Sequence, residues 1–411
     1  MLDNTLAILL AGGTGSRLAP LTNDRTKPAV PFGGKYRIID FTLSNCLHSG
    51  LRQILVLTQY KSHSLQKHLR DGWSIFNAEL GEFITPVPPQ MRAGQSWYTG
   101  TANAIQQNRY LLERNDTDSV LILSGDHIYR MDYAPLIDFH CRHGAAATVA
   151  CMDVDIEHAS DFGVMTIDPD NRVTGFVEKP EQPATLPGVP GRALASMGIY
   201  AFATKELLDV LDEDDHNPDS THDFGRDILP RLITERPVYA HQFGSCAGRV
   251  SVDRYWRDVG TLDAYYEANM DLLHSHPPID LYQEDWPIRT YSGQHPPART
   301  VPGCSGTEGL CLNSIVASGV VIAGGGVEHS ILFARVFLDD LSTVKNSILF
   351  DSVQVGKKAR IRNCIIDKNV IIPANESIGF DPKKDRKRFH VTSKGIVVVP
   401  KEYRFDNGSP S

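Results

Sequence analysis

Between residues 310 and 380, apolar residues recur on a spacing that few folds can use. Ile315, Val321 and Val327 are six apart. Leu332, Leu338 and Val344 repeat that spacing, as do Leu349, Val355 and Ile361 and then Ile366, Ile372 and Ile378, with a step of five from each triplet to the next. The repeat is therefore 17 residues long: three short faces, each with one inward apolar residue. Hairpin strands that met this spacing by chance would not stay in register through four successive triplets, and near-copies of "SILF" at 330 and 347 support a true repeat. The pattern predicts a solenoid of triangular coils, a left-handed parallel β-helix of the hexapeptide type, over 304–411.

The rest of the chain follows another rule. From 1 to 275, apolar runs of strand length ("LAILLA", "QILVLTQ", "SVLILSGD", "AATVACMDV", "GIYAF") alternate with polar segments of helical length, which predicts a Rossmann-like α/β domain with a mainly parallel sheet. Residues 276–303 are proline-rich and patternless, as an interdomain linker would be. Two domains suit 411 residues. A net charge of -8 argues against a nucleic-acid partner, whose binding face leaves a chain basic. Seven cysteines without CxxC spacing indicate neither a disulfide framework nor a zinc site, and suit a reducing cytoplasm. The start, "MLDNTLAILLAGG", carries Asp3 where an export leader is basic, and its apolar stretch is too short to cross a membrane.

In an open α/β sheet a ligand lies beyond the carboxyl ends of the strands, so the residues after each apolar run are the informative ones. After the first run, "AGGTGSRLAPLTNDRTKP" supplies Gly12, Gly13 and Gly15, with Arg17 and Lys27. Bare backbone beside positive charge suits a phosphate, though an ordinary tight turn with surface charges has the same local sequence. Asp126 follows "SVLILSG" and Asp258 lies in "YWRDVGT". An aspartate at a strand end is often a helix cap, but two of them near a phosphate nest also suggest a magnesium site. "FGVM" and "FVEKP" bring Gly163, Glu178 and Lys179. Adjacent charges on a strand point to opposite faces, so these two are either a salt-bridged edge or a carboxylate for sugar hydroxyls beside an ammonium for a phosphate. "WYTGTA" offers Tyr98, and "ASMGIY" offers Ser196 at the start of a strand.

Taken together, "LAGGTGSRL", "TKPAVPFGGKYRIIDFTLSN", "WYTGTA", "GDHIYRMDY", "FGVM", "FVEKP", "ASMGIY", "HDFGRDILP" and "YWRDVGT", in this order and followed by a hexapeptide solenoid, closely resemble the bacterial ADP-glucose pyrophosphorylases, the glucose-1-phosphate adenylyltransferases. The resemblance spans about residues 5 to 405. It implies a nucleotidyltransferase domain that converts ATP and α-D-glucose 1-phosphate to ADP-glucose and diphosphate for glycogen synthesis, with Mg2+, in a cytoplasmic homotetramer. The family's nucleotide loop falls on Gly12, Gly13, Arg17 and Lys27, and its catalytic groups on Asp126, Arg17 and Lys27. Its metal ligands fall on Asp126 and Asp258, and its glucose 1-phosphate contacts on Tyr98, Gly163, Glu178, Lys179 and Ser196. The family is allosteric, and the counterparts of its sites for anionic metabolite effectors are Arg25, Arg37, Lys368, Lys401 and Arg404. Asp24 stands where members that respond to fructose 1,6-bisphosphate carry lysine. Two other readings share the fold: a uridylyl- or thymidylyltransferase, and a non-catalytic subunit that binds sugar nucleotides. Loss of Asp126 or Lys179 would mark the second, and both are present.

Overall fold

The structure, a computed structural model, describes residues 2–13, 15–90, 97–186, 188–244, 248–250 and 254–405. Cys246, counted with the other cysteines above, lies outside them. The apolar runs of the first half form one nine-stranded mixed sheet. Thr5–Ala11 is central, parallel to Gln53–Thr58 on one side and Ser119–Ser124 on the other, and Phe83–Val87 extends the parallel part. The sheet reverses at Arg192–Ala203, a 12-residue strand antiparallel to Ser119–Ser124, Ala147–Asp155 and Gly163–Ile167. Alternation along Thr5–Ala11 sends Leu6 and Ile8 into the core on one face of the sheet, and Ala7, Leu9 and Ala11 into the core on the other. Both faces are covered, which is why the strands are apolar runs and not alternating ones.

The second half is a parallel β-helix of three sheets, with five, five and six strands. Leu332, Leu338, Val344, Leu349, Val355, Ile361, Ile366, Ile372 and Ile378 fill its interior as the repeat predicts. The corners explain how the coil turns. Arg335, Ser352 and Asn369, and likewise Leu341, Lys358 and Asn375, take φ between 59° and 63° at 17-residue intervals. Asparagine tolerates that left-handed region, and the other residue types are held there by the coil around them.

Two expectations are corrected here. The first coil has 16 residues, not 17, since Val316 pairs with Leu332 and Ile322 with Leu338. The inward residues of its first two faces are therefore Val316 and Ile322, not Ile315 and Val321. The missing residue lies between the left-handed corners Gly319 and Gly324, five apart where their counterparts Arg335 and Leu341 are six apart. The proline-rich stretch is also no free linker. It has no regular element between Leu273 and Arg299, but Ile279 and Trp286 are buried, Trp286 Nε1 donates to Asn45 Oδ1 at 3.0 Å, and Arg289 N donates to Ser44 Oγ at 2.8 Å. The strap lies on the helix Ile38–Ser49 and passes into the strand Arg299–Val301, which pairs with Val321–Ala323 and so already forms part of the β-helix, ahead of that 16-residue coil.

A third core joins the halves. Phe32, Phe41, Tyr265 and Leu272 from the first pack with Phe333, Phe350, Ile365 and Val398 from the second.

Candidate active site

The strand Thr5–Ala11 ends at the glycine loop, where Gly13 (φ 104°) and Gly15 (φ 58°) take the left-handed conformations that glycine adopts at least cost. Arg17 lies in the turn Ser16–Leu18, and Lys27 opens the turn Lys27–Ala29. Asp126 comes two residues after Ser119–Ser124. Asp258 meets it because Trp256–Asp258 pairs antiparallel with His127–Tyr129, which sets Asp258 opposite His127. Lys27 lies between the two carboxylates, its Nζ 2.8 Å from Asp126 Oδ2 and 2.8 Å from Asp258 Oδ1. Ser124 Oγ donates to Asp126 Oδ1, and His127 Nε2 is 3.4 Å from the same oxygen. Arg17 approaches from the glycine side: a Cβ on Gly260 would stand 3.1 Å from Arg17 Nη2 and 2.9 Å from Asp258 Oδ2.

Charge and burial set the protonation of this group. Burial works to raise the Asp126 carboxyl, but the Lys27 ammonium, the His127 ring and the bonds from Lys27 and Ser124 outweigh it, so it is held well below the ordinary carboxylate range. Burial works to lower Lys27, and the two aspartates more than restore it. His127 is lowered by burial against the pull of Asp126 and Asp258.

The residues expected to meet the sugar phosphate gather nearby. Gly163 pairs with Glu178 across two antiparallel strands. A Cβ on Gly163 would lie 2.8 Å from Glu178 Oε2, and one on Gly225 2.7 Å from the same oxygen, so this carboxylate rests between two bare stretches of backbone. Burial raises Glu178, with Lys179 pulling the other way. The expectation that Glu178 and Lys179 face opposite sides does not hold. The strand ends at Glu178, Lys179 takes φ 49°, and its Nζ lies 3.8 Å from Glu178 Oε1. Ser196 sits where its strand slips register, and its Oγ accepts from Gly198 N at 3.2 Å. Gly198 faces His127, for a Cβ there would be 3.8 Å from its Cε1.

Contacts link these groups into one ring. Gln59 lies against Gly12 and donates to Tyr98 O at 3.2 Å, while Asn108 donates to Tyr98 OH at 2.9 Å. Thr101, just beyond, donates to Asp223 Oδ2 at 3.1 Å, and Asp223 Oδ1 accepts the amides of Gly225 and Arg226. From Gly163 the path returns through Phe162 and His127, both packed on the Trp256 ring at 5.3 and 4.7 Å. Gln59, His127, Asp223, Gly225 and Trp256 were not picked out from the sequence as site residues. Gln59 and His127 follow apolar runs at sheet ends, which is the signal that would have found them; the roles of Asp223 and Gly225 depend on a chain crossing that no local pattern shows.

The effector candidates do not form one cluster. Arg37 and Lys368 line a cavity of about 970 Å³ between the halves, with Lys368 Nζ 2.7 Å from Asp351. Arg25 is buried and paired with Asp367. Lys401 pairs with Glu402 at 3.3 Å, and Arg404 is exposed; neither lines the cavity.

The nucleotidyl transferase family matches residues 6–275, and the GlmU-like, C-terminal hexapeptide family matches 296–399, consistent with a left-handed β-helix. Glucose-1-phosphate adenylyltransferase 2 of Vibrio cholerae is 59% identical over 404 residues, covering 98% of this chain and 99% of its own. The protein of the same name from Vibrio parahaemolyticus is 60% identical over 98% and 100%. Glucose-1-phosphate adenylyltransferase of Nitrosospira multiformis is 48% identical over 97% and 94%.

Proposed function

The chain belongs to the glucose-1-phosphate adenylyltransferases, within the nucleotidyl transferases, and from that premise we propose that it joins ATP and α-D-glucose 1-phosphate into ADP-glucose and diphosphate, the activated donor for glycogen synthesis. The observation that carries the reading is the Asp126–Lys27–Asp258 group at the mouth of the glycine loop. A phosphate oxygen of the sugar phosphate attacks the α-phosphorus of ATP, and diphosphate leaves in line. The attacking oxygen is already anionic at neutral pH, so no general base is needed. The obstacle is repulsion between two polyanions, and the protein's part is positioning and charge stabilisation.

Each named residue has a part in that scheme. Gly12 and Gly13 let the backbone approach the nucleotide phosphates, and Arg17 and Lys27 supply positive charge beside the reacting phosphorus. Glu178 holds sugar hydroxyls and Lys179 the sugar phosphate, with Tyr98, Gly163 and Ser196 shaping the pocket. The donors fit a hard divalent cation: Asp126, His127 and Asp258 offer ligand atoms within 4.8 Å of one another, and Lys27 bonds to one oxygen of each aspartate. Asp126 and Asp258 would hold Mg2+, which when bound offsets charge on the nucleotide phosphates.

The reading extends to regulation and assembly. The cavity at Arg37 and Lys368 suits a small anionic effector, and the β-helix suits a homotetramer in the cytoplasm. No helix of the described residues is long and apolar enough to cross a membrane. The test is product formation by the purified protein with glucose 1-phosphate, Mg2+ and ATP, UTP or dTTP in parallel. ADP-glucose and diphosphate from ATP are expected as the dominant products. Faster turnover with UTP or dTTP, or none with any nucleotide, would overturn the assignment.

A further inference from the structure

Lys27 does not hold its place through its own bonds alone. Two residues earlier in the same loop, Arg25 crosses to the β-helix, where Nη1 and Nη2 each lie 3.0 Å from one oxygen of Asp367. The two side chains are 5% and 1% exposed. Asp367 is itself held firmly: its amide donates to Val399 O at 3.0 Å, and its Oδ1 accepts the Lys368 amide at 2.7 Å. It follows the strand Cys364–Ile366, whose Ile365 belongs to the core that joins the halves. The loop it grips has no regular element between Leu18 and Lys27.

A guanidinium bonded to both oxygens of a carboxylate fixes direction as well as distance. A buried ion pair seldom adds stability over apolar residues of the same size, because desolvation offsets its attraction. A pair sealed at this depth, two residues from Lys27, therefore points to a role other than stability. We propose that Asp367 is a positioning residue for the reaction: through Arg25 it sets the loop that carries Lys27 between Asp126 and Asp258. The inference rests on the reading of Lys27 as a group that acts on the transferring phosphate. It makes the last coils of the β-helix part of the active-site scaffold, whether or not an effector is bound.

The test uses the full chain. Changing one partner strands a buried charge, so the decisive protein is the paired variant Arg25→Met/Asp367→Leu, which strands none; Arg25→Lys, which keeps the charge and loses the fork, accompanies it. The paired variant is expected to melt within a few degrees of the parent, keep its KM for glucose 1-phosphate within about twofold, and lose kcat by about tenfold or more. Arg25→Lys should lose kcat in the same sense, and amide exchange over 20–26 should quicken in both. In a Lys27→Gln background the same pair of changes should cost less than about twofold, because there is no ammonium left to position. Parental kcat in either variant, or an equal loss in both backgrounds, overturns the proposal and leaves the role of Lys27 standing. Parental kcat in Lys27→Gln alone overturns both.

Discussion

At the residue scale the site is a problem in charge. Two carboxylates within reach of one another repel, and here one ammonium satisfies both at 2.8 Å. Asp126 also accepts from Ser124, so its charged form is favoured from several sides. Asp126→Asn keeps the shape and removes the charge, and kcat should fall by about two decades or more, as when a preorganised electrostatic group is deleted. The fold should survive, because Lys27 keeps its bond to Asp258 at 2.8 Å, though melting temperature should fall somewhat, since the folded state favours the charged form of Asp126. Near-normal turnover would remove Asp126 from the centre of the reaction. Asp126 and Arg17 can be picked out from the sequence because they follow an apolar run and a glycine turn, Asp258 because it lies between aromatic residues and a glycine, and Lys27 because it adds charge to the glycine loop. What could not be read there was that Lys27 bridges the aspartates, since this depends on a three-residue ribbon between segments about 130 residues apart (His127 and Asp258 pair). Glu178 and Lys179 show the opposite case: strand alternation does not extend to Lys179, one residue past the strand's end.

At the scale of elements, periodicity carried most of the information. The β-helix was legible because each face buries one apolar residue, and the slip in its first coil arose where a shortened corner leaves the apolar count intact but moves the inward position by one. The strap over 274–298 was illegible for a related reason: Ile279 and Trp286 are buried singly, with no period to announce them. Behind the sheet, the helix Ala134–His143 buries His140 at 2% exposure with Nδ1 3.0 Å from Thr148 Oγ1, and burial lowers its pKa to about 4. In the unfolded chain a histidine titrates near pH 6.5, so between about 6.5 and 4 the unfolded state binds more protons. The stability from a neutral His140 is thus fully present above about pH 6.5 and is lost as pH falls toward 4, a change on the order of 3 kcal/mol. Melting curves should show Tm dropping across that window. His140→Asn, which keeps a donor for Thr148 and does not titrate, should flatten the drop; an unaltered slope would show that other groups govern it. His241, also lowered to about 4 by burial, should account for part of the remainder.

At the scale of the whole molecule, the halves share a core and not merely a connection. Phe32, Phe41 and Tyr265 pack on Phe333 and Phe350, and Thr392 and Ser393 bond to Asp263 on the other side of the joint. Cutting the chain near 300 would bare this aromatic face, so a 1–300 fragment should aggregate or lose activity; a soluble and fully active fragment would show that the joint is dispensable. The joint also decides what an effector would meet. Arg37 and Lys368 line its cavity and are both lowered, first by burial and then by neighbouring cations that include Arg25. Two cations that burial makes harder to charge would gain from one anionic ligand. Asp351, 2.7 Å from Lys368, already answers part of their charge. Asp24 is exposed beside the buried Arg25 and lies outside the cavity lining; the family resemblance puts it where members that respond to fructose 1,6-bisphosphate carry lysine. Replacing attraction by repulsion is worth about 1 kcal/mol or more for charges 4 Å apart, even in water. On that reading a ligand with two phosphates is disfavoured against a smaller or singly phosphorylated one. In an activation series at fixed ATP, fructose 6-phosphate, pyruvate or 3-phosphoglycerate should activate more strongly than fructose 1,6-bisphosphate. Asp24→Lys should lower the concentration of fructose 1,6-bisphosphate needed for half-activation by about fivefold or more, the size of a 1 kcal/mol change. Its response to pyruvate, which carries one charge, should move less. If fructose 1,6-bisphosphate is the strongest activator of the parent, or if Asp24→Lys leaves its response unchanged, the charge at 24 does not select the effector.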